Sequence, residues 1–243
     1  MPTETRPIWF MNSLSDTATA RLFCFPYSGC GATMYQAWPR WIGGIEVVPV
    51  QLPGRENRMR EPHFGTYEQL AATLVEGLRP FLDRPYALFG HCGGALPAAE
   101  TVLRLATAGL PAPARLYVSS QVAPQDGPYG RYLGLTRDEL SGELGALMRA
   151  AGGEPDPEIL DVLLDVLVED VDANRRYRKD VAPRFGCPLT AVGWTRDVEI
   201  PPALMTGWAD CGPTRDVLLE GEHYTFLDPP DALLAEFAAG LPG

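Results

Sequence analysis

Histidines and closely spaced cysteine pairs are scarce in this sequence. The 243 residues include three histidines, His63, His91 and His223, and five cysteines with no C-x-x-C pair among them. An odd, dispersed set of cysteines argues against a disulfide framework, and so few histidines leave few ligands for a structural zinc ion. We therefore expect no metal site and assign no cofactor.

The chain also lacks an excess of basic residues and any long hydrophobic run. Its 20 Lys and Arg residues against 31 Asp and Glu residues give a net charge of −11. This charge disfavours nucleic acid, whose binding depends on neutralising phosphates. No apolar run reaches the ~18 residues that a transmembrane helix needs, and residues 1–13 do not resemble a secretory signal. We expect a cytoplasmic protein with no membrane partner.

What the sequence does contain is an alternation of apolar strand-like runs and helical patterns. Its length and 46% hydrophobic content suit a single α/β domain over residues 1–243. Buried strands are predicted at 21–26, 45–52, 86–90, 116–118, 189–192 and 217–219. Helices are predicted at 67–81, 95–106 and 231–241. This alternation predicts a mostly parallel sheet with helices on both faces.

Residues from about 125 to 180 interrupt this alternation. They contain no strand-like run, and two helical patterns, at 136–151 and 156–179, fill most of the segment. The second pattern is apolar around much of its circumference, which is typical either of a lid over a cavity or of ordinary buried helices. We predict a lid insertion, and we take Leu163 and Leu167 as candidate substrate-binding residues.

Gly90-His91-Cys92-Gly93-Gly94 stands between a predicted strand and a predicted helix. In this context a G-x-nucleophile-x-G pattern forms a sharp turn that presents its central side chain at the edge of the sheet. Glycines permit the tight backbone conformation. Cys92 is therefore the predicted nucleophile.

A nucleophile of this kind needs a base, and the base needs an orienting acid. His223 follows the last predicted strand in a loop that can reach the sheet edge, whereas His91 adjoins the nucleophile and His63 precedes it. The acid should follow the penultimate strand, where Asp197 fits, with Glu199 and Asp210 as rivals. The sequence thus predicts a Cys92–His223–Asp197 triad in the chain order of α/β-hydrolases.

Two backbone N–H groups should stabilise the oxyanion. Gly93, directly after the nucleophile, is predicted to supply one of them. Ser28, in the glycine-containing loop after the first strand, is the candidate for the other. Tyr27, directly before it, is the alternative for this N–H and is also a candidate substrate-binding residue.

Several motifs occur in a characteristic order: Phe25-Pro26-Tyr27-Ser28-Gly29, Gln51-Leu52-Pro53-Gly54-Arg55-Glu56-Asn57-Arg58, the elbow at 90–95, and Gly221-Glu222-His223. Together they resemble the type II thioesterases that accompany polyketide and nonribosomal peptide synthetases, over residues 21–241. The resemblance implies an α/β-hydrolase fold with a helical lid. It also implies substrates held as thioesters on the phosphopantetheine arms of acyl or peptidyl carrier proteins, and their release by hydrolysis as editing or offloading.

The sequence departs from the family pattern at the nucleophile, where Cys92 replaces the usual serine. A cysteine would form an acyl thioester, and its exchange with another thiol is nearly isoenergetic. Hydrolysis is the favoured outcome. The alternative is an acyl or aminoacyl shuttle between two carrier thiols, and the third interpretation is a non-catalytic carrier-binding protein.

Further departures are Pro97 inside the elbow helix and Cys30, where the family commonly has glycine. Carrier domains of this kind are usually acidic, so a chain of net charge −11 needs a basic docking patch. The candidates are Arg55, Arg58 and Arg60, or the cluster from Arg175 to Lys179.

Overall fold

A computed structural model describes residues 8–150 and 156–241 of the chain. Its centre is a seven-stranded sheet with the order β2-β3-β1-β4-β5-β6-β7. The strands are β1 (Ala20–Phe25), β2 (Trp41–Ile42), β3 (Ile45–Pro49), β4 (Tyr86–His91), β5 (Arg115–Ser119), β6 (Leu189–Trp194) and β7 (Thr214–Leu219). Every neighbouring pair is parallel except β2 and β3. The predicted mostly parallel sheet is confirmed, and the two-residue strand β2 was not predicted.

Helices cover both faces of the sheet, as predicted. They are α1 (Tyr67–Leu78), α2 (Ala95–Thr107), α3 (Arg137–Ala150), α4 (Pro157–Arg176) and α5 (Asp231–Gly240). Leu74 of α1 and Leu105 of α2 share one core cluster with Leu88 of β4, whereas Phe237 of α5 shares the opposite cluster with Phe89. Alternate residues of β4 therefore fill the two cores, because successive side chains of a strand point to opposite faces.

The first turns of α1 and α2 explain two local features of the sequence. Thr66 caps α1 through a reciprocal capping box with Gln69, which satisfies two backbone N–H groups at that end. Pro97 is the third residue of α2, which begins at Ala95. The first four N–H groups of a helix have no intrahelical acceptor, so the proline removes no helical hydrogen bond.

The segment between β5 and β6 holds α3 and α4, and no strand occurs among its described residues. Leu140 of α3 packs with Leu164, Leu167 and Val171 of α4 in a cluster separate from the two sheet cores. The α4 helix ends at Arg176, before the predicted end at Lys179, and residue 151 of the α3 prediction lies outside the described residues. Within the described ranges, no helix is both long and apolar enough to cross a membrane.

Candidate functional site

Cys92 sits in a sharp turn between β4 and α2. Its φ is 49°, a left-handed value that is uncommon for a residue with a Cβ. A Cβ on Gly90 would collide with the backbone of Gly94, and a Cβ on Gly94 would lie 2.7 Å from the carbonyl oxygens of Phe25 and Pro26. The glycines are thus required by close backbone approach. The turn holds Cys92 in a strained conformation of the kind that clusters at functional sites.

His223 and Asp197 come together at the same edge of the sheet. The Nδ1 atom of His223 lies 2.9 Å from Oδ2 and 3.1 Å from Oδ1 of Asp197. Both residues are buried, and Nε2 of His223 has no hydrogen-bond partner within the described part of the chain. Asp197 therefore orients the ring by accepting the Nδ1 hydrogen, which leaves Nε2 available to a reacting group. Of the two rival acids, Asp210 is exposed on the surface.

Asp197 is held by more than the histidine. Ser120, which directly follows β5, donates its hydroxyl hydrogen to Oδ2 at 2.6 Å, and the backbone N–H groups of Glu199 and Ile200 donate to Oδ1. Ser120 also has a positive φ, 47°. The sequence analysis missed this serine. Its position after a parallel strand that neighbours β4 and β6 is the signal that points to it.

The electrostatics of the pair favour an imidazolium at His223. Burial by itself lowers the pKa of His223, but the hydrogen bond to Asp197 and the neighbouring Cys92 and Glu199 outweigh burial and raise the pKa to about 10. Burial raises the pKa of Asp197, and the hydrogen bonds from His223, Ile200 and Ser120 lower it below its usual range. A histidine held in this way by a buried carboxylate has the orientation that a catalytic acid or base requires.

The predicted oxyanion-hole residues are adjacent. A Cβ on Gly93 would collide with the Ser28 hydroxyl, and it would lie 3.3 Å from the Ser28 backbone nitrogen. Tyr27, the residue before Ser28, lines the cavity at Cys92. The loop after β1 thus brings both candidates to the nucleophile, as expected from the parallel alignment of β1 and β4.

The cavity at Cys92 is small, about 30 Å³. It is lined by Tyr27 and Ser28 of the β1 loop, by Asn174 of α4, and by Glu199 and Tyr224 beside the histidine. The volume is enough for one or two water molecules. An acyl group larger than that needs α4 or its neighbours to move.

A second, larger cavity of about 630 Å³ lies between α4 and the loops at 29–34 and 54–59. Leu163 lines it, together with Cys30, Ile159 and Val162. Leu167 is buried and lies 3.1 Å from a Cβ placed on Gly29, and it lines neither this cavity nor the one at Cys92. The two predicted lid leucines thus have different surroundings, one in a cavity and one in packing beneath α4.

A buried ion pair joins α4 to the core, and the sequence analysis missed its acid. Asp170 accepts two hydrogen bonds from the Arg55 guanidinium, at 2.7 and 2.8 Å, one from the Gly29 N–H at 2.7 Å, and one from His63 Nε2 at 2.7 Å. Burial raises the pKa of Asp170, but Arg55 and His63 outweigh burial and bring it to about 2. The Pro-Gly-Arg-Glu loop thus positions the helix above the nucleophile.

This pairing corrects the first predicted docking patch. Arg55 and Arg58 are 4% and 7% exposed, so two of its three arginines do not face a partner. Arg55 is buried because its charge is paired with Asp170 on α4, and Arg58 because it bonds the Gln51 carbonyl and Glu61. In the second cluster, Arg175, Arg176 and Arg178 are exposed near the C-terminal end of α4, and its docking role stays a prediction.

The remaining histidine and cysteines are outside the predicted triad. His91 is fully buried, stacks on Phe226, and bonds Ser119 through Nδ1, and burial holds its pKa well below its usual value. All five cysteines are free thiols. Burial, opposed by a hydrogen bond with Tyr27, raises the pKa of Cys30 to about 11. Cys30 opens onto the larger cavity and Cys92 onto the smaller one.

Comparisons with known proteins identify the family and the fold of this chain. The family model for the thioesterase domain matches residues 20–238. The gramicidin S biosynthesis protein GrsT of Aneurinibacillus migulanus is 31% identical over 83% of this chain and 80% of its own. Two solved structures share the fold at a TM-score of 0.78 each: RedJ, the thioesterase of the prodiginine pathway in Streptomyces coelicolor, 33% identical over 97% of this chain and 99% of its own, and the type II thioesterase BorB of the borrelidin cluster, 30% identical over 96% and 97%. The chain belongs to the thioesterase family and has the α/β-hydrolase fold of its type II members.

Proposed function

We propose that this protein removes acyl groups from the phosphopantetheine arms of acyl or peptidyl carrier proteins in polyketide or nonribosomal peptide biosynthesis. The acyl group passes through a thioester on Cys92 and is released by hydrolysis. The observation that carries the proposal is that Cys92, at a strained strand–helix turn, neighbours a His223 that is bonded to Asp197. The similarity to GrsT and BorB supports the pathway class.

Acylation begins with a Cys92 thiolate beside the His223 imidazolium, and the sulfur attacks the carbonyl carbon of the carrier thioester. The oxyanion accepts hydrogen bonds from the backbone N–H groups of Gly93 and Ser28, the proposed oxyanion hole. The carbon–sulfur bond to pantetheine then breaks, and the departing sulfur takes the Nε2 proton of the His223 imidazolium. Asp197 keeps the ring oriented throughout by its bond to Nδ1. The products are an acyl-Cys92 thioester, a neutral histidine and a free pantetheine thiol.

In the hydrolysis step, His223 accepts a proton instead of donating one. Neutral His223 takes a proton from a water molecule while the water oxygen attacks the acyl carbon. The bond to the Cys92 sulfur breaks, and the sulfur leaves as a thiolate beside the new imidazolium. One carboxylic acid is released and the starting thiolate–imidazolium pair is restored. The cavity of about 30 Å³ at Cys92 admits a water of this kind.

A second candidate outcome is transfer to another carrier thiol. It is favoured by the nucleophile itself, because a cysteine thioester is nearly isoenergetic with the pantetheine thioester on either carrier. The steps are the same, except that a pantetheine thiol replaces water in the second attack. In this case the protein acts as an acyl or aminoacyl shuttle.

Intact mass spectrometry of the protein incubated with an acyl-loaded carrier tests the proposal. We expect a mass increase equal to one acyl group, absent in Cys92→Ala and retained in Cys30→Ala, the control for a neighbouring thiol. No adduct on the unaltered protein, or an undiminished adduct on Cys92→Ala, would overturn the proposal. Carrier binding without any adduct would indicate the non-catalytic alternative.

Adding a second, empty carrier separates the two outcomes. Release of free acid faster than loading of the second carrier supports hydrolysis, and the reverse order supports the shuttle. Cys92→Ser sharpens the comparison, since an oxygen ester lies downhill from a thioester. We expect this variant to accumulate a trapped ester or to lose transfer relative to hydrolysis, and an unchanged ratio would contradict the role given to the cysteine.

A further inference from the structure

The small cavity at Cys92, here called the inner cavity, adjoins a larger one at the surface. This outer cavity has a volume of about 610 Å³, and Val198, which is 88% exposed, lines it. The lining of the two cavities overlaps, so the shared residues form the partition between Cys92 and the surface. The shared residues are Tyr129, Gly130, Arg131, Leu133 and Glu199.

The partition is held by two ion pairs of Arg131. This side chain donates a hydrogen bond to Oε1 of Glu199 at 3.1 Å, and it also pairs with Glu143 of α3. Arg131 is 42% exposed. Ion pairs this exposed contribute little stability, because water competes for both charges and salt screens them. The Arg131 side chain can therefore swing outward at low cost, which would join the two cavities.

The cavity of about 630 Å³ beside α4, here called the α4 cavity, is separated from the inner cavity by a firmer barrier. The two share no lining residue among those described. Val166 lines the α4 cavity and Val171 lines the inner one, and Asp170 lies between them on the helix. Asp170 is bonded to the Gly29 N–H and to Arg55, and this ion pair is only 4% exposed on each side. Breaking a buried pair leaves unpaired charges, so opening this barrier is costly.

We propose that the acyl-pantetheine arm of a carrier protein enters through the outer cavity, past Tyr129 and Val198, and that Arg131 is the gate between this cavity and Cys92. This inference rests on the proposed function and names the route of its substrate. The volume of the outer cavity is in the range of small-molecule sites, whereas the inner cavity holds only water while the gate is closed.

Alkylation of the two partly exposed thiols tests the route without catalysis. Cys92 opens onto the inner cavity and Cys30 onto the α4 cavity, so each thiol reports one route. The reagents are iodoacetamide and a biotin-linked iodoacetamide, whose long linker must occupy the route as the pantetheine arm would. Peptide mass spectrometry gives the labelling rates. Val198→Trp should slow labelling of Cys92 by the biotin reagent about tenfold and change that of Cys30 by less than about twofold.

The matched control for the route is Val162→Trp. Val162 is 47% exposed and lines the α4 cavity, so this variant should slow labelling of Cys30 and leave that of Cys92 unchanged. Labelling of Cys92 that Val198→Trp leaves unchanged, or that Val162→Trp slows more, would overturn the route.

Arg131→Met tests the gate. It should raise the ratio of the two labelling rates at Cys92, biotin reagent over iodoacetamide, about threefold or more, because opening no longer breaks two ion pairs. The ratio cancels any change in the reactivity of the thiol itself. Arg137→Met is the control, since it removes ion pairs with Asp161 and Asp165 but lines neither cavity, and the ratio should not change. An unchanged ratio in Arg131→Met would overturn the gate.

An acyl-loaded carrier connects the route to the proposed function. Val198→Trp should lower the rate of adduct formation about tenfold, and Val162→Trp should lower it by less than about twofold. Equal rates in the two variants would overturn the route for the carrier arm. Failure of the proposed function shows separately, as absence of any acyl adduct on the unaltered protein while the labelling pattern of the two thiols is as expected.

Discussion

Two histidine–aspartate pairs occur in this protein, and they have different surroundings. His223 bonds Asp197 through Nδ1, and its Nε2 has no partner among the residues described. His63 bonds Asp170 through Nε2, and its Nδ1 accepts the Gly65 N–H at 3.1 Å. In the first pair one ring nitrogen is available for proton transfer. In the second both nitrogens are occupied, and Arg55 neutralises the acid.

The difference shows that a histidine beside a buried acid does not by itself identify a catalytic pair. What distinguishes the candidate pair is the ring nitrogen without a partner among the described residues, together with Cys92, the proposed nucleophile, at a strained turn nearby. The second pair connects α4 to the β1 loop and to the Pro-Gly-Arg-Glu loop. The first pair therefore fits the proposed catalytic role, and the second pair holds α4 against the two loops.

The largest expected effect separates the two histidines by rate. His223→Gln should lower kcat/KM for a small acyl thioester by about 10³-fold or more, because the proton carrier is lost. His63→Gln should lower it by less than about tenfold, since this ring reaches the site only through Asp170. Steady-state hydrolysis of both variants measures this. Similar losses in the two variants would contradict the division of roles.

Replacing the two aspartates should affect different properties: the free energy of unfolding for Asp170 and the reaction rate for Asp197. Asp170→Asn leaves the Arg55 guanidinium buried without its charged partner, and we expect a loss of about 3–5 kcal/mol in the free energy of unfolding. Asp197→Asn keeps the shape of the triad but weakens its orientation, so the rate should fall by roughly 10²–10⁴-fold. Denaturant unfolding and kinetics on both variants give the comparison. An Asp170→Asn protein as stable as the parent would show that the pair does not anchor the helix.

Ser120→Ala makes a smaller change within the candidate pair. It removes one of the hydrogen bonds that Asp197 receives, and loss of a bond to a charged group predicts a decrease of about tenfold in kcat. KM for a small thioester should change little, because Ser120 does not line the cavity at Cys92. An effect on KM alone would contradict this positioning role.

The sequence made the sheet, the sharp turn at Cys92 and the contact between His223 and Asp197 predictable, because each has a local signal. Apolar runs of strand length, glycines around Cys92 and acids after β6 can all be recognised within a few residues. Asp197 was separable from its rivals by its place directly after a strand. Glu199 follows within two residues and lies on the other side of the histidine, a distinction that only the loop conformation provides.

The ion pair between Arg55 and Asp170 was not predictable because its partners are far apart in the chain. Arg55 and Asp170 are separated by 115 residues, so the arginine looked like a surface charge. A weaker signal existed on α4. Asp170 and Asn174 follow Leu167 by three and seven residues, which places both polar side chains on the buried face of the helix. Polar residues at such positions indicate a specific partner or a site.

The pH dependence of stability gives a separate test of the charge on His223. Its pKa rises to about 10 in the folded protein, because Asp197, Cys92 and Glu199 outweigh burial. A folded-state pKa above the unfolded value of about 6.5 means that the folded state binds the proton more tightly. The stabilisation is complete below pH 6.5 and is lost as pH rises towards 10. The difference in unfolding free energy between the parent and His223→Gln should therefore shrink from pH 6 to pH 10 in urea titrations. A constant or growing difference would show that His223 is neutral in the folded protein. The NMR chemical shifts of the His223 ring would report the same titration directly.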